Sequence, residues 1–133
     1  MIDVKKPTGF RITKEANEAG EEILKQPGNL GTISELAILG ISLIIQSKDE
    51  THQQIEWSTI SQDSTGIMKG RMNDYENHEA LALLYSLTFE KCEPEDIWQN
   101  IQKAASQGII LLKSKYFTHQ SLIDWEEINK DFL

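Results

Sequence analysis

Residues Leu36–Ile45 read LAILGISLII, ten positions at which only Gly40 and Ser42 are not apolar. This run constrains the fold more than anything else in the chain. Thr32 and Glu35 stand just before it in capping-box spacing, each placed to satisfy a backbone N–H that the first turn leaves free. The run is therefore a helix, opened at Gly31–Glu35 and reaching about Ile45. Its apolar residues Ile33, Leu36, Ala37, Leu39, Ile41, Leu43, Ile44 and Ile45 go nearly all the way round. A helix of that kind must be wrapped on most sides, which predicts the central core element, buried further by a second subunit. Ten positions fall well short of the roughly 20 that cross a bilayer. The opening MIDVKKPTG holds no apolar segment, and the expectation is a cytoplasmic domain.

Other elements follow from similar signals. Gly9–Ile12 alternates like a half-buried strand, and Thr13 caps a helix carrying Ala16, Ala19, Ile23 and Leu24. Pro27-Gly28-Asn29 ends that helix. From Ser47 to about Asn73 the helical period is lost, and the segment reads as an irregular surface loop with one hydrophobic anchor. Its alternative is a pair of short extended pieces, at Ile55-Glu56-Trp57 and Thr65-Gly66-Ile67-Met68. Asn73 or Asp74 caps a third helix with Ala80, Leu81, Leu83, Leu84, Leu87 and Phe89, to about Lys91. Pro94 suits the first turn of a fourth. There Ile97, Ile101, Ala105, Gly108 and Leu112 form one stripe, so Gly108 belongs inside a long helix where another backbone packs close. Thr118 caps a C-terminal helical tail over 118–133. The 133 residues make one domain, mostly α: a short N-terminal strand, two helices in ribbon-helix-helix-like order, and two or three more helices.

The net charge is −8. Up to Lys48, Lys5, Lys6, Arg11, Lys14, Lys25 and Lys48 are balanced by Asp3, Glu15, Glu18, Glu21, Glu22 and Glu35, so the whole surplus lies beyond. A free-standing nucleic-acid binder carries a basic face, which this chain can build only locally. Chemistry-bearing patterns are sparse. His52, His78 and His119 lack paired ligand spacing, and H-E-A-L-A at His78–Ala82 lacks the second histidine of a zincin. Cys92, the only cysteine, sits between Glu90 and Glu93, a setting that raises a thiol's pKa. T-G-I-M-K-G-R at Thr65–Arg71 lacks phosphate-loop spacing. The carboxylates at Glu90, Glu93, Glu95 and Asp96, and at Asp124, Glu126 and Glu127, read as solvated capping charges. The expectation is a protein without catalytic residues, metal or cofactor.

Six segments, in order, resemble the DndE family, the small helical component of bacterial DNA sulfur (phosphorothioate) modification systems. They are F-R-I-T-K-E-A-N at Phe10–Asn17, L-A-I-L-G-I-S-L at Leu36–Leu43 and I-E-W-S at Ile55–Ser58. A-L-A-L-L-Y at Ala80–Tyr85, C-E-P-E-D at Cys92–Asp96 and Q-G-I-I-L-L-K-S-K at Gln107–Lys115 complete the set. The resemblance covers about residues 9–124. It implies a non-catalytic subunit that binds double-stranded, including nicked, DNA, forms a homo-oligomer, and assembles with the ATPase and sulfur-transfer subunits. Arg11, Lys14, Lys69, Arg71, Lys113 and Lys115 are then the candidate phosphate contacts. The chain departs from the family at Ser106-Gln107, where a cation is expected, at Glu35, in a longer variable loop, and in the tail Trp125-Glu126-Glu127. Two other functions fit the same residues: a ribbon-helix-helix repressor reading bases with Arg11, and a protein-interaction module without nucleic acid.

Overall fold

A computed structural model describes residues 10–25, 32–61, 64–66, 75–115 and 125–132. Strand β1 (Arg11–Thr13) leads directly into helix α1 (Lys14–Leu24). Thr13 makes the junction: its backbone is extended, and its hydroxyl accepts from the N–H of Ala16 at 3.1 Å, as an N-cap should. Helix α2 (Ile33–Ser47) opens on Thr32, whose hydroxyl accepts from the N–H of Glu35 at 3.2 Å. It runs two residues past the expected end, to a left-handed Lys48.

The segment expected as an irregular loop holds three short elements. A 3-10 turn over Glu50–Gln54 comes first, then helix α3 (Trp57–Ser61), then strand β2 (Ser64–Gly66). β2 pairs antiparallel with β1, Arg11 opposite Gly66 and Thr13 opposite Ser64. Ile60 is the buried hydrophobic side chain among the described residues of this segment, and His52 is a second, polar anchor beside it. The extended piece offered at Thr65–Met68 overlaps β2 at Thr65-Gly66, whereas Trp57 of the other opens α3; elements of three to five residues are too short to show a hydrophobic period of their own.

Helix α4 (Tyr75–Thr88) ends before the expected Lys91; Phe89 still bonds back to Tyr85, and a turn follows. Pro94 opens a 3-10 turn (Pro94–Asp96) that runs into α5 (Ile97–Lys115). The last helix is α6 (Trp125–Phe132), whose Ile128 joins the core. The expected cap Thr118 and the caps Asn73 and Asp74 lie outside the described residues.

The centre of the molecule is α5 rather than α2. At 19 residues it is about 28 Å long, and it touches α1, α2, α3, α4, β1 and the 3-10 turns on either side. Small residues on its surface (Ala104, Ala105, Ser106 and Gly108, all buried) let neighbours come close from several directions. The predicted stripe Ile97, Ile101, Ala105, Gly108, Leu112 is buried throughout. Gly108 does lie inside a long helix. A Cβ on it would overlap the Cα, carbonyl carbon and oxygen of Gly40, so α2 and α5 cross backbone to backbone. α2 is wrapped largely by this chain itself: seven of its residues are buried, and Ile33, Ile38 and Leu39 pack partly against the same core.

Candidate functional site

The candidate phosphate contacts come first. Arg11 is half-buried on β1, and Lys14 is exposed at the start of α1. Lys113 and Lys115 lie in the last turn of α5. Lys69 and Arg71 lie outside the described residues. The two described pairs do not meet. α1 runs parallel to the second half of α5: the N–H of Thr13 donates to Ser106 Oγ near one end, and Glu22 forms an ion pair with Lys113 near the other. Lys14 and Glu22 are therefore separated by roughly 12 Å along the helix. Along this stretch Glu15, Glu18 and Glu22 line an open groove of about 320 Å³, with Ala19, Ile110, Lys113 and Ser114 as its other walls. The Lys113 ammonium hydrogen-bonds Glu22 and holds its carboxyl below the ordinary range. A negative groove thus interrupts what would have been a cationic face, and its field opposes a phosphate backbone.

The ribbon needed by a repressor is also committed. Along β1 the N–H of Arg11 donates to Gln102 Oε1 at 2.8 Å and that of Thr13 to Ser106 Oγ at 3.0 Å. Strand alternation leaves the N–H of Ile12 on the β2 side. Both edges of β1 are occupied within the chain, and strand pairing with a second copy has no free edge to use.

Three groups with chemical potential are tied down. His52 has no exposed surface. Its Nδ1 lies 2.8 Å from the carbonyl of Asp49, which can only accept, so Nδ1 carries the proton. Nε2 therefore accepts from the Tyr85 hydroxyl, 2.5 Å away. Gln53 Nε2 donates to the same hydroxyl at 3.5 Å, and the His52 ring meets Tyr85 and Phe89 edge to face. Burial pushes the His52 pKa down and that of Tyr85 up. The cluster clasps the Glu50–Gln54 turn to α4, and Lys103 and Gln107 of α5 hold the turn's other side. The third group, Cys92, is half-buried and accepts from Asn100 Nδ2. Its thiol is raised mainly by burial, with Asp96 and Glu93 adding to the effect; the acidic neighbours that the sequence emphasises are the lesser cause. Among the described residues, no three His, Cys, Asp or Glu side chains could hold a metal ion, and no helix is long and apolar enough to cross a membrane.

Apolar surface on α4 is the remaining feature. Ala82, Tyr85 and Phe89 face the core. Leu83, Leu84 and Leu87 are 51%, 51% and 64% exposed, with Ala80 exposed beside them. These four fall at i, i+3, i+4 and i+7, the spacing of one helix face. Hydrophobicity alone assigns the leucines to the core. The signal against that assignment is that α4 carries two apolar stripes, one more than a helix on a domain's outside needs. No family model, curated protein or solved structure matches the chain.

Proposed function

We propose that this chain is a non-catalytic scaffold subunit that works by joining protein chains, of the kind its DndE-like segments imply within a bacterial DNA phosphorothioate modification complex. The observation that carries the reading is the exposed leucine row on α4. A helical protein with a well-covered core gains nothing in the monomer from leaving three leucines half or more in water. The tied state of His52, Tyr85 and Cys92 agrees with it, since each is committed to packing or hydrogen bonds within the chain. Protein contact takes precedence over phosphate contact here, because the Glu15–Glu18–Glu22 groove divides the described cations.

The test is co-expression of the tagged full chain with the ATPase and sulfur-transfer subunits of such a system. Retention of those subunits through a wash at about 0.5 M salt is expected, because apolar contact tolerates screening. If the tagged chain instead retains only intact or nicked duplex, released steeply as salt rises, the scaffold reading fails and the DNA-binding one takes its place.

A further inference from the structure

The one buried histidine among the described residues stands where two separate elements meet. Thr13, His52, Gln102 and Ser106 are the buried polar side chains described, and of these only His52 can gain a charge. Its ring centroid lies 5.7 Å from that of Tyr85 and 5.1 Å from that of Phe89, and those two lie 4.7 Å apart. Along α4 and the turn after it, Ala82, Tyr85 and Phe89 are the described residues buried in the core. Two of these three rest on the His52 ring. We propose that His52 is a proton-operated latch: an imidazolium at this position frees the Glu50–Gln54 turn and the Tyr85–Phe89 end of α4 together, while α1, α2 and α5 stay packed.

The geometry suits only the neutral ring. The Asp49 carbonyl takes the proton on Nδ1, at 2.8 Å. A second proton on Nε2 would have to point at the Tyr85 oxygen, which Gln53 Nε2 already approaches at 3.5 Å, and would turn the Tyr85 hydrogen away from the acceptor it now uses. Charged neighbours reach the ring from two sides. Asp49 and Glu50 on the turn attract a cation, whereas Lys103 of α5, 3.4 Å from the Gln53 carbonyl, repels it, and burial opposes the charge more than any of them. Tyr85 and Cys92 are both pushed up and stay neutral through the acid range. Once undocked, the ring sits in water and takes a proton near its ordinary 6.5. The open form thus binds a proton that the closed form does not, and the opening equilibrium grows by up to about tenfold per pH unit below that point. What remains closed is held by apolar side chains and by the Gly40–Gly108 crossing. The latch is independent of the scaffold reading, since it operates in the isolated chain.

Native-state hydrogen exchange of the full chain at pH 7.5 and 5.5, over sub-denaturing urea and corrected for intrinsic rates, tests it. The reporters are the amides of Ile55, Phe89 and Cys92, which donate to the carbonyls of His52, Tyr85 and Phe89. They should open ahead of the α5 amides and with little dependence on urea, the mark of a local unit. Their protection should fall about tenfold at the lower pH. His52→Gln, which cannot take up the proton, should lose that response. Protection that is the same at both pH values, reporters that share the free energy and urea slope of α5, or a variant with the parent's pH response would each overturn the latch. Should His52→Gln fail to fold, the imidazole nitrogen shifts of the parent take its place. A neutral ring protonated at Nδ1 at pH 7.5 is expected, and a charged ring or one protonated at Nε2 overturns the proposal.

Discussion

Both ring nitrogens of His52 are engaged in the neutral tautomer, and protonation would force Nε2 to donate toward a hydroxyl that Gln53 already approaches as a donor. The folded state therefore disfavours the cation. Desolvation opposes the charge most and Lys103 adds to it, and together they outweigh Asp49 and Glu50, which favour it. The unfolded chain binds a proton near pH 6.5 that the folded chain does not, so stability rises with pH through that window. The contribution of neutral His52 is complete above about pH 6.5 and declines as pH falls below it toward the lower folded pKa. Urea midpoints measured from pH 7.5 down to 5 should fall, and His52→Gln should flatten that slope. Asp49 works in a separate window. Thr51 holds its carboxyl low, so its contribution is present above the ordinary aspartate value of 3.8 and is lost as pH falls from there through the lower folded value.

Two glycines give a sharper contrast at this scale. Ala gains about 1 kcal/mol over Gly in either helix. A Cβ on Gly20 would meet only the tip of the Ile33 side chain, which can swing away, whereas one on Gly108 would meet the backbone of Gly40. Gly20→Ala should stay within about 1 kcal/mol of the parent. Gly108→Ala should lose about 3 kcal/mol or more. Chemical denaturation of the two variants side by side checks the difference.

Among the elements, β1 shows how three residues stay ordered. One edge pairs with β2 and the other is closed by two side chains of α5. Removing those acceptors with Gln102→Ala and Ser106→Ala should speed amide exchange at Arg11 and Thr13 while leaving the α5 core amides slow. Hydrogen-exchange mass spectrometry or NMR reads this directly. The same elements mark how far the sequence carries. The 97–112 stripe and the buried Gly108 are legible, because a long helix repeats its packing every turn. β2 is legible only as the alternative extended piece at Thr65–Met68, and the His52 turn is not legible, since what fixes it is a partner elsewhere in the chain: Tyr85 lies 33 positions from His52. The outward leucines are legible as apolar but not as exposed. A helix with two apolar faces does not say which one the core takes.

For the whole molecule, charge and apolar surface make opposite demands. The acidic excess repels other acidic chains, and screening weakens that repulsion while leaving hydrophobic contact intact. Capture of partner chains through apolar contact should therefore hold between about 20 and 500 mM salt. Binding to a phosphate backbone would weaken over the same range, so a single salt titration of retained subunits against retained duplex separates the two behaviours. The six candidate cations, chosen from the resemblance, illustrate the other side of legibility. Spacing along the chain could not show that α1 and α5 would bring Glu15, Glu18 and Glu22 between Lys14 and Lys113.

The Gly40–Gly108 crossing has a mechanical consequence. The next residues on the same face of each helix, three or four positions away, carry side chains, so α2 and α5 come this close only where Gly40 meets Gly108. The joint behaves as a detent with a single notch. Force applied to one helix is passed to the other as rigid-body motion and is not absorbed by slippage.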